Sequence, residues 1–216
     1  RYSVLVFRDQ PMTGDQLMQF GKNFGQLSVH PFSPNDKKNP ALILFKNDKT
    51  TPPWKTDVWH SDETFRKIPP FATMLHALDV PKFGGDTMFV SMTAAYEGLS
   101  DRMQLYLSGL EAYHDFIVFK DVFGKTPDGR KKLREYERDY PPTLHPVIAE
   151  HPITGKKLVF VNPQFTVKID GMDDAESQQV LNQLYDLTKI PEYQYRHHWE
   201  NNTLVIWDNR STQHYA

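Results

Sequence analysis

Thr203-Leu204-Val205-Ile206-Trp207-Asp208-Asn209-Arg210-Ser211-Thr212-Gln213-His214 opens with five β-branched or apolar residues and then turns abruptly polar. Such a run, bounded by Asn and Asp, reads as a short buried strand ending in a turn. Working outward, the same signature recurs at Ser3–Phe7, Thr73–Leu78, Thr87–Val90, Val147–Ala149 and Lys157–Val161. Ile153-Thr154-Gly155-Lys156 separates the last two and reads as a hairpin turn. Asn35 to Trp54 is rich in Pro, Lys and Asp apart from the apolar run Ala41–Phe45, which predicts one strand between loops.

Helical spacing appears between these runs. Thr13 with Gln16 three residues on resembles a capping box, opening a helix with Leu17 and Phe20 that stops at Gly25. Ser91 and Ser100 each precede a helical stretch, and Asp173 with Glu176 begins another that carries Val180, Leu181, Leu184 and Leu187 on one face. The basic triplet Arg130-Lys131-Lys132 beside Glu135, Glu137 and Asp139 reads as a solvated helix face. The expectation is mainly β with flanking helices, a sandwich or barrel, in one domain over residues 1–216, a length that suits a single all-β unit.

Composition excludes several classes. A net charge of −2 provides no global field for nucleic acid or anionic membrane. The absence of cysteine removes disulfides, thiolate metal sites and a Cys nucleophile. No apolar run approaches the roughly 18 residues of a membrane span, and no signal peptide is visible, so a cytoplasmic location is expected. The chain starts at Arg1 without a Met and ends two residues after His214, so it reads as truncated at both ends.

Chemistry concentrates in histidines and carboxylates. His60 and Asp62 stand two apart, so an extended backbone points both the same way. With a distant third ligand such as His214 they would form two imidazoles and one carboxylate, the set that holds non-haem Fe(II) with open positions. Spacing alone is weak, because nine histidines supply such pairs by chance. His198-Trp199-Glu200 would ligate a metal equally well.

Context separates the two. Trp59-His60-Ser61-Asp62-Glu63-Thr64-Phe65, Gly84-Gly85-Asp86-Thr87, Val161-Asn162-Pro163-Gln164-Phe165 and Val205-Ile206-Trp207-Asp208-Asn209-Arg210 with Thr212-Gln213-His214 together resemble the taurine dioxygenase/aryloxyalkanoate dioxygenase family. The resemblance runs from Leu5 to Ala216 with the motifs in family order, and nothing in it matches His198 or Glu200. It implies a double-stranded β-helix (jelly roll) that binds Fe(II) and consumes 2-oxoglutarate and O₂. It implies His60, Asp62 and His214 as metal ligands, Thr87 as a hydroxyl on a 2-oxoglutarate carboxylate, and Phe165 and His30 as substrate contacts. The expected reaction is hydroxylation of a small or amphipathic acid (a sulfonate, alkyl sulfate or aryloxyalkanoate), with succinate and CO₂ released. The resemblance also suggests a homo-oligomer, dimer or tetramer.

Two departures stand out. The family arginine that pairs with 2-oxoglutarate falls past residue 216, and Arg210, upstream of His214, is expected instead to form a structural ion pair. Thr56 stands where some taurine-specific members carry Asn, and Phe32-Ser33 follows His30-Pro31 where they place a Tyr nearby, so taurine itself is not implied. The alternatives are a non-catalytic jelly-roll metal- or ligand-binding module and a zinc hydrolase, the latter without a His-Glu-x-x-His motif in support.

Overall fold

In the computed structural model, residues 2–33, 35–46 and 57–216 are described. Thr56 and the far end of the Asn35–Trp54 stretch lie outside them. Among the described residues eleven strands are seen: β1 Val4–Phe7, β2 Ala72–His76, β3 Thr87–Ser91, β4 Glu111–His114, β5 Thr143–Pro146, β6 Ile148–Glu150, β7 Lys157–Val159, β8 Thr166–Ile169, β9 Gln194–His197, β10 Leu204–Asp208 and β11 Thr212–Tyr215. The helices are α1 Gly14–Gly21, α2 Met92–Glu97, α3 Asp101–Leu107, α4 Ile117–Gly124, α5 Pro127–Asp139 and α6 Asp174–Asp186.

The opening stretch becomes β10, the centre of a β1-β10-β2 sheet in which Ile206 faces Leu5 on one side and Met74 on the other. After a turn the chain re-enters as β11 at the edge of a second sheet, β11-β3-β9. One apolar cluster joins the sheets: Val4, Val6, Leu75 and Val205 from the first meet Phe89 from the second, with Trp199 and Trp207 buried among them. A β5-β4-β8 sheet and the β6-β7 hairpin complete the strands, all antiparallel. The hairpin turn is where the sequence placed it, with Gly155 at φ 67°.

Helix starts follow the sequence signals. Thr13 with Gln16 and Asp173 with Glu176 make reciprocal capping boxes, and Ser91 and Ser100 cap α2 and α3. Each such cap contributes about 1 kcal/mol. Helix α6 buries Leu181 and Leu184 in the largest core cluster, while α5 buries none of its residues, as a solvated face requires.

Two expectations are corrected. Helical residues outnumber strand residues, so the fold is mixed helix and strand rather than mainly β. Ala41–Phe45 forms no strand beyond a single bridge between Ile43 and Asn35. The Asp36 carboxylate accepts from the Lys38 and Asn39 amides while the Asp36 amide bonds the Leu42 carbonyl, so this backbone closes a local turn instead of pairing with a sheet. No helix among the described residues is long and apolar enough to cross a membrane.

Candidate metal centre

His60 and His214 come from segments 154 residues apart and are joined by a two-residue antiparallel bridge. The His60 amide donates to the His214 carbonyl at 3.0 Å and the reverse bond is 2.8 Å. Directly opposed residues project to the same face, and the imidazole centroids lie 4.1 Å apart. His60 Nδ1 donates to the Val58 carbonyl at 2.7 Å, which leaves the Nε2 lone pair free. His214 Nδ1 is buried without a partner among the described residues.

Asp62 is held at both ends. Its amide donates to Asn209 Oδ1 at 2.6 Å, and Asn209 Nδ2 donates back to the Asp62 carbonyl and to the Pro70 carbonyl, both at 2.9 Å. On the side chain, the Thr73 hydroxyl donates to Asp62 Oδ2 at 2.6 Å. That leaves Oδ1 facing the two rings, 3.7 Å from His60 Nε2 and 3.8 Å from His214 Nε2. These separations are too long for hydrogen bonds but shorter than two metal–ligand bonds of about 2.1 Å end to end. One donor atom from each residue lies within 4.8 Å of the others, the only such cluster among the described residues.

The electrostatics suit a cation. Burial, reinforced by His60, pushes the His214 imidazole down to about 3, so its ring is neutral with a lone pair to give. Burial alone would raise the Asp62 carboxyl, but His214, His60 and the Thr73 hydroxyl outweigh it and keep the group ionised below its ordinary range. A carboxylate and two imidazoles, that of His214 neutral, converge with no lysine or arginine ion-paired to Asp62 among the described residues.

The remaining sequence candidates surround this cluster. Phe165 is buried with its ring edge-on to His60 at 6.3 Å, and Asn162 Oδ1 fixes its backbone by accepting from the Phe165 amide. His30 sits among Phe32, Phe65 and Phe119, with ring centroids 5.7, 6.4 and 5.6 Å away. Burial lowers it to about 4, with Asp62 opposing and Arg66 assisting. Its Nδ1 accepts from the Phe32 amide at 3.1 Å, so the neutral ring carries its proton on Nε2. Thr87 is buried on β3, two residues before Phe89, which pairs with His214; it therefore shares His214's face of the sheet. Its hydroxyl accepts from the Trp199 indole N–H at 2.9 Å.

His198 and Glu200 do not join the cluster. His198 Nδ1 lies 2.8 Å from Asp86 and Glu200 pairs with Arg8 at 3.0 Å, both at the surface. Arg210 forms the expected ion pair, with Asp208 at 3.1 Å. Sequence reasoning missed Asn209 and Thr73 as supports of Asp62, and Phe32, Phe65 and Phe119 as the aromatic wall. Asn209 lay inside the quoted stretch, where a polar residue directly after a buried strand was a usable signal. Thr73 gave none.

Comparison with known proteins agrees with this geometry. The family model described as "Taurine catabolism dioxygenase TauD, TfdA family" matches residues 1–216. An alpha-ketoglutarate-dependent sulfonate dioxygenase of Saccharomyces cerevisiae is 32% identical, the match covering 99% of this chain and 53% of that protein. An alpha-ketoglutarate-dependent 2,4-dichlorophenoxyacetate dioxygenase of Burkholderia sp. is also 32% identical, over 98% of this chain and 75% of its own length. A solved taurine dioxygenase structure from Burkholderia xenovorans superposes with a TM-score of 0.81 at 30% identity, covering 100% of this chain and 69% of that one. The chain spans about half the length of the two yeast relatives it matches.

Proposed function

The chain belongs to the taurine catabolism dioxygenase TauD, TfdA family, and from that premise we propose that it is an Fe(II)- and 2-oxoglutarate-dependent dioxygenase. Its substrate is a small or amphipathic organic acid of the sulfonate, alkyl sulfate or aryloxyalkanoate type, which it hydroxylates with release of succinate and CO₂. The carrying observation is the convergence of His60, Asp62 and His214, with two imidazole nitrogens and one carboxylate oxygen within 4.8 Å of one another. That donor set suits Fe(II). When bound, the metal supplies the O₂ activation that no side chain can provide.

The other residues position and enclose. Thr87, on His214's face of the sheet, offers a hydroxyl to the far carboxylate of 2-oxoglutarate. The neutral His30 offers Nε2–H to the substrate's anionic head, and Phe165, Phe65 and Phe119 wall the space and exclude water. We read the two sheets that share the Phe89–Trp207 cluster as the faces of a double-stranded β-helix, with residues 1–216 forming one domain.

Anaerobic addition of Fe(II) and 2-oxoglutarate should produce a weak visible charge-transfer band, and admission of O₂ with a panel of sulfonates, alkyl sulfates and aryloxyalkanoates should release succinate with at least one of them. A protein that retains no iron and gives no band would instead be a binding module. Turnover with Zn(II) in the absence of O₂ and 2-oxoglutarate would make it a hydrolase.

A further inference from the structure

The segment His198-Trp199-Glu200 matched no ligand role, yet it is fastened on every side. His198 meets Asp86, Glu200 meets Arg8, and the Arg8 guanidinium also donates to the His198 carbonyl. Asn201 accepts from the Val80 amide and the Asn202 amide bonds the Ala77 carbonyl. In this extended segment the exposed His198 and Glu200 point outward, and Trp199 between them points inward, 8% exposed.

Inside, the Trp199 indole N–H meets Thr87 Oγ1 at 2.9 Å. The direction is fixed by chemistry, because an indole N–H can only donate. The threonine oxygen must therefore accept, and its own proton is turned away from Trp199. Thr87 is 4% exposed, and the indole is its one side-chain partner among the described residues. With no acceptor for its proton among the described residues, this buried hydroxyl is unusual in a folded protein and is ready to donate to an acceptor that arrives from outside. A carboxylate, which is acceptor-only when ionised, is the complement.

We propose that Trp199 is a positioning residue for 2-oxoglutarate: by occupying a lone pair of Thr87 Oγ1, it commits that hydroxyl to donate to the co-substrate carboxylate. The inference rests on the reading of Thr87 given above, and the test separates the two. Calorimetric titration of 2-oxoglutarate into the full Mn(II)-loaded protein without O₂ is carried out for wild type, Trp199→Phe, Thr87→Val and the double variant. Trp199→Phe should weaken 2-oxoglutarate binding about five- to tenfold while leaving Mn(II) affinity unchanged. Thr87→Val should weaken it at least as much, and the double variant should bind no more weakly than Thr87→Val alone.

An additive double variant, or a Trp199→Phe affinity within twofold of wild type beside a weakened Thr87→Val, overturns the role of Trp199 and leaves Thr87 standing. An unchanged Thr87→Val overturns the reading of Thr87 and the inference with it. Should Trp199→Phe not fold, Trp199→3-benzothienylalanine retains the ring's shape, replaces N–H by sulfur and faces the same criteria.

Discussion

Asn209→Ala offers the sharpest test of how the centre is held. Asn209 is 1% exposed and its side chain makes three hydrogen bonds, two to the Asp62 backbone and one to Pro70. At about 1 kcal/mol each, their loss costs about 3 kcal/mol, and in a chain of this size that lowers Tm by about 6–12 °C. The effect on the metal is separate. Asp62 reaches the imidazoles only because its backbone is pinned on both sides, so Mn(II) affinity should fall about 10- to 100-fold, the usual cost of losing an outer support. Asn209→Asp retains the acceptor for the Asp62 amide but turns a carboxylate oxygen toward two carbonyls, and it should be at least as damaging at pH 7. Thermal unfolding of the metal-free protein and calorimetric Mn(II) titration give the two numbers independently. A variant with the expected drop in Tm and Mn(II) affinity within twofold of wild type would refute the reasoning, because Asp62 would then be placed by something other than Asn209.

Asp62→Ala should abolish Mn(II) binding and 2-oxoglutarate-dependent succinate release with the circular dichroism spectrum retained, whereas Glu200→Ala, which loses one exposed pair with Arg8, should be silent in both assays; loss of metal from the Glu200 variant would sink the site assignment. Thr73→Val keeps the β-branched shape but releases Asp62 Oδ2, and Mn(II) affinity should drop about tenfold; equal affinity in the two proteins would show that the hydroxyl plays no part. His114, wholly buried and lowered to about 3 by burial and His145, takes up its proton more readily unfolded than folded. Its contribution to stability is therefore complete above pH 6.5 and is lost as pH falls, by about 3 kcal/mol at pH 4. Urea midpoints across this range should fall less steeply for His114→Gln, and an identical pH dependence would contradict the assignment.

Much of the fold was legible because short-range signals agreed with long-range packing. Both capping boxes formed as the sequence signals them, and Leu204–Asp208 became a central strand because its first four residues could be buried on both sides. Three of the strands that went unseen share a physical cause. Glu111–His114, Gln194–His197 and Thr212–Tyr215 carry polar side chains, and their pairing comes from neighbours far along the chain rather than from alternation. Ala41–Phe45 failed the other way, since the hydrogen bonds of Asp36 close its backbone into a local turn rather than leaving it to join a ladder. At the candidate centre, the flanking motifs alone singled out His60, Asp62 and His214, and the structure brings their side chains together. The contacts from Thr73 and Trp199 were not readable at all, because they link positions 11 and 112 residues from their targets.

The turn after Asp62 shows how local strain can be tolerated beside a candidate ligand. Glu63 takes φ 52°, a left-handed conformation that a non-glycine residue adopts at a cost of about 1 kcal/mol. A glycine there would remove the strain, but it would also remove the carboxylate that pairs with Arg66. Arg66 in turn donates to the Val29 carbonyl, beside His30, and lies over the Tyr140 ring at the end of α5. The His145 imidazole bonds the Arg66 carbonyl from β5. One side chain thus ties the loop leaving Asp62 to the segment bearing His30 and to the helical cover of the aromatic wall. Burial raises the Glu63 carboxyl while Arg66 draws it back, so the pair is held by its partners rather than by exposure to water. The strained residue stands one position from Asp62, the carboxylate of the candidate metal cluster, and its own carboxylate holds Arg66 in place.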